Sequence, residues 1–128
     1  MRKAILTMLL AVVSGSVVAE WVGVGSTVTA NIYVDQATIR KSGNLAQIWM
    51  LQDYKQAKLF VDTPYLAVTM HYEFDCKKEL ERSLSFSAYS ERMGKGIVVF
   101  SDPVRGEWNS FVPESVAEAV WKIACENK

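Results

Sequence analysis

The feature that most constrains this chain is its pair of cysteines, Cys76 and Cys125, the only two in 128 residues. A bond between them would close a loop of about 50 residues, which the chain-entropy model values at about 4 kcal/mol. That is a large share of the total stability of a small domain, which is about 5–15 kcal/mol. The alternatives are two free thiols or a metal site. One histidine and two distant cysteines fit a four-ligand metal site poorly.

The first nineteen residues bear on that choice because they resemble a cleavable signal peptide. Arg2 and Lys3 are followed by an apolar run, Ala4–Val13, and Val17-Val18-Ala19 places small residues before a cleavage point at Glu20. An uncleaved membrane anchor is the alternative, but the run has roughly ten residues and a bilayer needs about 20. We expect residues 1–19 to be removed and residues 20–128 to form one exported domain.

Export favours the disulfide, because oxidising compartments are where such bonds persist. No cysteine follows the apolar run, so a lipid-modified N-terminus is not expected. The chain has 14 basic and 14 acidic residues, and the removed segment carries two of the basic ones, leaving a net charge of −2. That balance argues against a nucleic-acid partner. A second long apolar run is missing from the sequence, so no transmembrane segment is expected after cleavage.

Strand signals dominate the rest of the chain. Turn residues at Ser42-Gly43-Asn44 and at Met93–Gly96 separate runs of β-branched, aromatic and alternating residues. Residues Gln56–Pro64 are interpreted as a loop between two strands. The predicted strand segments are Trp21–Gly25, Ile32–Val34, Ile39–Lys41, Leu45–Tyr54, Leu66–Cys76, Leu80–Tyr89 and Ile97–Phe100.

Near the end of the chain the spacing of apolar residues changes from that of a strand to that of a helix, which predicts one helix. Ser115 and Glu118 form a capping-box pattern, with Pro113 just upstream. The apolar residues that follow cover one wide arc of a 3.6-residue helix. The predicted fold class is therefore α+β: a six-stranded antiparallel sheet in meander order, with a C-terminal α-helix on one face.

The cysteines also predict which face the helix covers. Side chains alternate along a strand, so Met70, Tyr72 and Phe74 share a face with Cys76. Because Cys125 lies in the last helical turn, a Cys76–Cys125 bond would hold the helix over that face. The opposite face would then be polar. Its expected members are Thr69, His71, Glu73, Asp75, Ser83, Ser85 and Ser87.

One strand does not fit this two-sided pattern. Leu45–Tyr54 has Ile48 and Met50 on one face, and Trp49 and Leu51 on the other. A single helix cannot cover both faces, so either loops fold over Trp49 and Leu51 or these residues meet another molecule.

If a protein partner exists, we expect it at Trp49 and Leu51 or at the adjacent Gln56–Pro64 loop. An aromatic anchor with a polar rim is typical of interfaces. Lys55 and Lys58 could steer an acidic partner. The sequence identifies neither that partner nor an oligomeric state.

No motif predicts catalysis, a metal ion or a cofactor. His71 is the only histidine, and neither a nucleophile elbow nor a phosphate loop accompanies it, so it is interpreted as a surface side chain. Trp108 and Phe111 precede the helix and are expected to fold beneath it as an apolar staple.

Taken in order, short motifs along the chain are similar to those of the surface-adhesin protein E family of small exported bacterial proteins. They are Trp21-Val22, Tyr33-x-Asp35, Ile39-Arg40, Gly43-Asn44, Trp49-x-Leu51-x-Asp53-Tyr54-Lys55, Asp75-Cys76, Met93-Gly94-x-Gly96, Trp108, Ala119-Val120-Trp121-Lys122 and Cys125.

This resemblance implies a six-stranded antiparallel sheet whose C-terminal helix is tied to it by the disulfide. It also implies a non-enzymatic binding domain that contacts host or envelope components. The expected location is the periplasm or cell surface of a Gram-negative-type bacterium, and the missing lipidation cysteine favours the periplasm. The alternative is a secreted inhibitor or accessory protein of an envelope hydrolase.

Overall fold

A computed structural model describes residues 19–103 and 105–126. The predicted signal peptide lies outside the described residues, except for Ala19. These described residues form seven strands and one helix. They are β1 (Val22–Ser26), β2 (Ala30–Ser42), β3 (Leu45–Phe60), β4 (Thr63–Asp75), β5 (Leu80–Glu91), β6 (Lys95–Asp102), β7 (Asn109–Ser110) and α1 (Val116–Glu126), with a 3-10 turn at Arg92–Gly94 between β5 and β6.

The sheet is an antiparallel meander in which β1 to β6 pair in chain order. The predicted fold class is confirmed: six antiparallel strands and one C-terminal helix. The short strand β7 adds two residues beside the start of β5, where Ser110 pairs with Leu80. Sequence analysis did not predict this strand.

Strand β2 is continuous where two separate segments were expected. Its pairing with β3 shifts between Asp35 and Arg40. The Thr38 side chain bridges the irregular region, since its Oγ1 donates to the Asp35 carbonyl at 2.6 Å and accepts from the Trp49 N–H at 3.0 Å. A hydroxyl group therefore replaces part of the regular backbone ladder.

The prediction of a loop at Gln56–Pro64 is wrong, because β3 and β4 continue through these residues as a long hairpin. Phe60 pairs with Thr63, so only Val61 and Asp62 form the turn. Val61 has a φ of 59° and is 80% exposed. Two-residue hairpin turns usually place Asn or Gly at such positive φ angles.

The main core lies between α1 and one face of the sheet. Ile48, Phe74, Val120 and Ala124 are fully buried there. Helix α1 begins as its capping pattern predicts: the Glu118 N–H donates to Ser115 Oγ at 3.2 Å. The amphipathic pattern of the helix therefore places its apolar arc on the sheet.

A disulfide joins Cys76, just after β4, to Cys125 in the last turn of α1. The Cα atoms are 5.6 Å apart, which is the usual span of this bond. The predicted pairing and the predicted helix-covered face are both confirmed. In the part of the chain that the structure describes, no helix has the length and apolar character needed to span a bilayer.

Candidate functional site

The sheet side opposite α1 is called the open face. Its rows follow from the strand register, in which Trp49 lies opposite His71, and His71 opposite Ser85. In the next row, Leu51 lies opposite Thr69, which lies opposite Ser87. A register shift after His71 places Ser83 opposite Tyr72, so the expected alignment of Ser83 with these serines is wrong.

A stacked pair of rings, Trp49 and His71, lies near the centre of the open face. Their ring centroids are 4.5 Å apart and their planes differ by 3°. Both side chains are partly exposed. Burial lowers the pKa of His71 below its ordinary value of 6.5, and the charge of Glu73 acts in the opposite direction. At neutral pH the pair is therefore an uncharged flat aromatic surface with a polar margin.

Leu51 is not part of the accessible surface, because it is fully buried. The 3-10 turn lies over it: a Cβ on Gly94 would be 3.6 Å from Leu51 Cδ1. Of the two possibilities left open by the sequence, loop cover applies to Leu51. The expectation that Leu51 offers an exposed anchor is corrected, and Trp49 alone retains exposed surface.

The 3-10 turn is held in place by a buried carboxylate, Asp53. One oxygen accepts from the Met93 N–H at 2.9 Å, and the other lies 3.4 Å from an Arg92 guanidinium nitrogen. Arg92 also donates to the Tyr54 carbonyl at 2.6 Å. These contacts link positions about 40 residues apart, which explains why no local pattern revealed the cover over Leu51.

A second charged cluster lies at the β4–β5 end of the open face. Arg82 donates two hydrogen bonds to Glu73, at 2.9 and 2.6 Å, and its guanidinium lies 4.2 Å from the Trp108 ring centroid. Burial alone would raise the pKa of Glu73, but hydrogen bonds from Arg82 and Gln47, with the charges of Arg82 and Arg105, outweigh burial and lower it.

This cluster corrects half of the staple prediction. Phe111 does pack on the helix, with its ring 5.6 Å from that of Trp121. Trp108 instead lies against Arg82, where the guanidinium can make a cation–π contact. The signal that could have suggested this was a glutamate within an apolar strand, since a buried acid needs a partner.

Lys55 and Lys58 lie in a different place from Trp49. With Val28, Thr29, Gln56 and Ala57 they line a groove of about 470 Å³ beside the irregular segment of β3. Lys55 Nζ donates to the Thr27 carbonyl at 3.0 Å, and Lys58 Nζ is 5.2 Å from the Tyr54 ring centroid. Six residues of strand separate Lys55 from Trp49, or about 20 Å. The four predicted binding residues therefore do not form one cluster.

Within residues 19–103 and 105–126, no three His, Cys, Asp or Glu side chains come together in a way that could hold a metal ion. The side chains of the open face can contact another molecule through aromatic stacking, hydroxyl hydrogen bonds and ion pairs.

The family model for surface-adhesin protein E matches residues 21–126. The chain belongs to the surface-adhesin protein E family. Its match includes the strands of the open face, the 3-10 turn and the disulfide-tied helix. No curated protein matches the sequence.

Solved structures of Haemophilus influenzae protein E have the same fold as this member of the family. One structure superposes with a TM-score of 0.68 at 14% identity and covers 87% of both chains. A second crystal form gives a TM-score of 0.69 at 14% identity, with 87% of this chain and 91% of the other covered. A structure from a non-typeable strain gives 0.67 at 14% identity, with coverage of 88% and 79%. At this identity the likeness concerns the fold.

Proposed function

We propose that this chain is exported, loses residues 1–19, and acts as a non-enzymatic binding domain in the periplasm or at the cell surface of a Gram-negative-type bacterium. Its partner is a protein of the host or of the envelope. Membership of the surface-adhesin protein E family supports the binding role. The basic and apolar segment at residues 2–13, followed by Val17-Val18-Ala19, supports export.

The observation that carries the choice of surface is the partly exposed Trp49–His71 stack on the open face. Trp is among the residues that most often dominate interface energies. The hydroxyl group of Ser85 lies in the same row as the stack and those of Thr69 and Ser87 lie in the next row, where they can hydrogen-bond to a partner backbone. The two rings are already stacked face to face, with an interplanar angle of 3°. Binding there would therefore cost little side-chain entropy.

The test is a comparison of two tryptophan variants of the processed protein against immobilised extracellular-matrix proteins, serum proteins and envelope proteins. We expect Trp49→Ala to weaken binding about 30-fold, as for an interface hot spot. Trp108→Ala is the matched control, since Trp108 lies in the Arg82 cluster away from the stack. Thermal unfolding of both variants verifies that the domain remains folded.

The reverse result would place the interface at the Trp108 loop instead. Failure of the unmodified protein to bind any of these three classes of protein would contradict the binding role itself.

A further inference from the structure

Three carboxylates are buried in the described part of the chain: Asp35, Asp53 and Glu73, each at most 7% exposed. Glu73 is paired with Arg82, and Asp53 with Arg92. Among residues 19–103 and 105–126, no cationic side chain pairs with Asp35. Buried carboxylates are rarely left without a positive partner, because removing the charge from water is costly.

The contacts of Asp35 point to an unusual partner. Its Oδ1 accepts from the Ala37 N–H at 3.1 Å, and its Oδ2 accepts from the Glu20 backbone nitrogen at 3.3 Å. Glu20 is the residue immediately after the predicted cleavage point. In the uncut chain this nitrogen is a neutral amide. Hydrolysis of the Ala19–Glu20 peptide bond by a signal peptidase consumes one water, leaves a carboxylate on Ala19 and gives Glu20 an α-ammonium group.

We propose that this cleavage creates an ion pair between the new α-ammonium group of Glu20 and the buried carboxylate of Asp35. The inference depends on cleavage after Ala19, which is part of the proposed function. Processing then supplies the cation that the described side chains do not. Each of the three buried carboxylates would then have a positively charged partner. The hydrogen bond from the Glu20 nitrogen to Asp35 would become charge-assisted, which makes it roughly twice as strong.

The position of Asp35 gives the ion pair a structural consequence. Asp35 lies directly opposite Trp49 in the β2–β3 register. The neighbouring residue Trp21 lines a surface depression together with Thr69, Met93 and Gly94. The ion pair therefore fastens the processed terminus across the open face, beside the Trp49–His71 stack.

The position of the charge is testable by moving it one residue. The full chain is expressed with its own leader, with and without a glycine inserted between Ala19 and Glu20, and intact mass identifies each terminus. The insertion keeps the net charge but displaces the ammonium group by about 3.8 Å along the chain. We expect the folding equilibrium constant from urea unfolding to fall about tenfold, which corresponds to about 1.4 kcal/mol.

Asp35→Asn completes a double-mutant cycle. In the Asp35→Asn background the insertion should have no further effect, because the ion pair is already absent. Acetylating the α-amine of the unmodified processed protein while it is unfolded is a second measurement that leaves the Asp35 side chain unchanged. It should reproduce the tenfold loss on refolding. The α-amine of the folded protein should also react with acylating reagents several-fold more slowly than that of the insertion variant.

Equal stability and equal amine reactivity of the two termini would overturn the ion pair, while leaving export and binding intact. A mass showing cleavage at another bond, or no cleavage, would overturn both the ion pair and the predicted processing. Independent losses for the insertion and Asp35→Asn would show that Asp35 has a different partner, and would also overturn the proposal.

Discussion

On the helix side of the sheet, Ile48 is fully buried beneath α1, whereas on the open face Leu51 is equally buried beneath a single 3-10 turn. The two residues are three positions apart on the same strand. Helix α1 is held by apolar packing, in which Val120 and Ala124 are fully buried, and by the Cys76–Cys125 bond. The 3-10 turn is held mainly by hydrogen bonds to Asp53 and from Arg92.

The difference shows how the described part of the chain covers one face of its sheet with a helix and part of the other face with a short turn. Apolar burial is non-directional and suits a helix that covers many residues at once. Hydrogen bonds and ion pairs depend on geometry, so they position small segments over particular residues. The open face thus has limited cover, and this leaves Trp49 accessible.

The largest loss of stability is expected when the two buried aliphatic residues, Ile48 and Leu51, are each shortened to alanine. Ile48→Ala should cost towards the upper end of about 2–5 kcal/mol, because a helix fixed by a disulfide cannot move into the cavity. Leu51→Ala should cost towards the lower end, since the 3-10 turn can shift inwards. Urea unfolding of the processed protein measures both. Leu59→Ala, at a residue 66% exposed on the same strand, is the control with little expected effect. An equal or greater loss for Leu51→Ala would contradict the asymmetry.

The next effect concerns the bond that only the helix side has. Cys76→Ser should lower the free energy of unfolding by about 2–4 kcal/mol, because the reduced chain gains entropy when unfolded. Cys125→Ser and the double variant should show the same loss, since all three remove one bond. Thermal and urea unfolding measure it. Two thiols titrating in the native oxidised protein, or an unchanged melting temperature, would show that the bond is absent or unimportant.

The smallest effect tests the charged cluster of the open face. Glu73→Gln should cost about 1–2 kcal/mol at pH 7 by weakening the contact with Arg82. Because the folded pKa of Glu73 is lowered, the stabilisation is complete above the ordinary value of 4.5 and is lost as the pH falls through the folded pKa. The difference between the two proteins should therefore shrink below pH 4.5 in urea titrations. Glu107→Gln, at an exposed glutamate, is the control, and a gap that persists in acid would be the contrary result.

The sequence predicted the features that depend on local periodicity. Strand alternation placed Phe74 beneath the helix, and the pattern at Ser115 located the helix start. The β3–β4 hairpin was missed because its turn is Val61-Asp62, without the Asn or Gly that normally marks positive φ angles. Loop cover over Leu51 was one of the two possibilities left open by the sequence, and the covering segment could not be identified because the 3-10 turn is held there by contacts between residues far apart in the chain.

The disulfide also determines how the domain would respond to mechanical tension. Force applied at the two ends of the chain passes through β1 to β4, reaches Cys76, and crosses directly to Cys125. Once the hydrogen bonds and packing of the domain have given way, the intervening segment, with β5, β6, β7 and most of α1, carries no load while the bond is intact. Those 49 residues of sequence separation correspond to about 170 Å of extended chain. They form a reserve of length that only reduction of the disulfide releases.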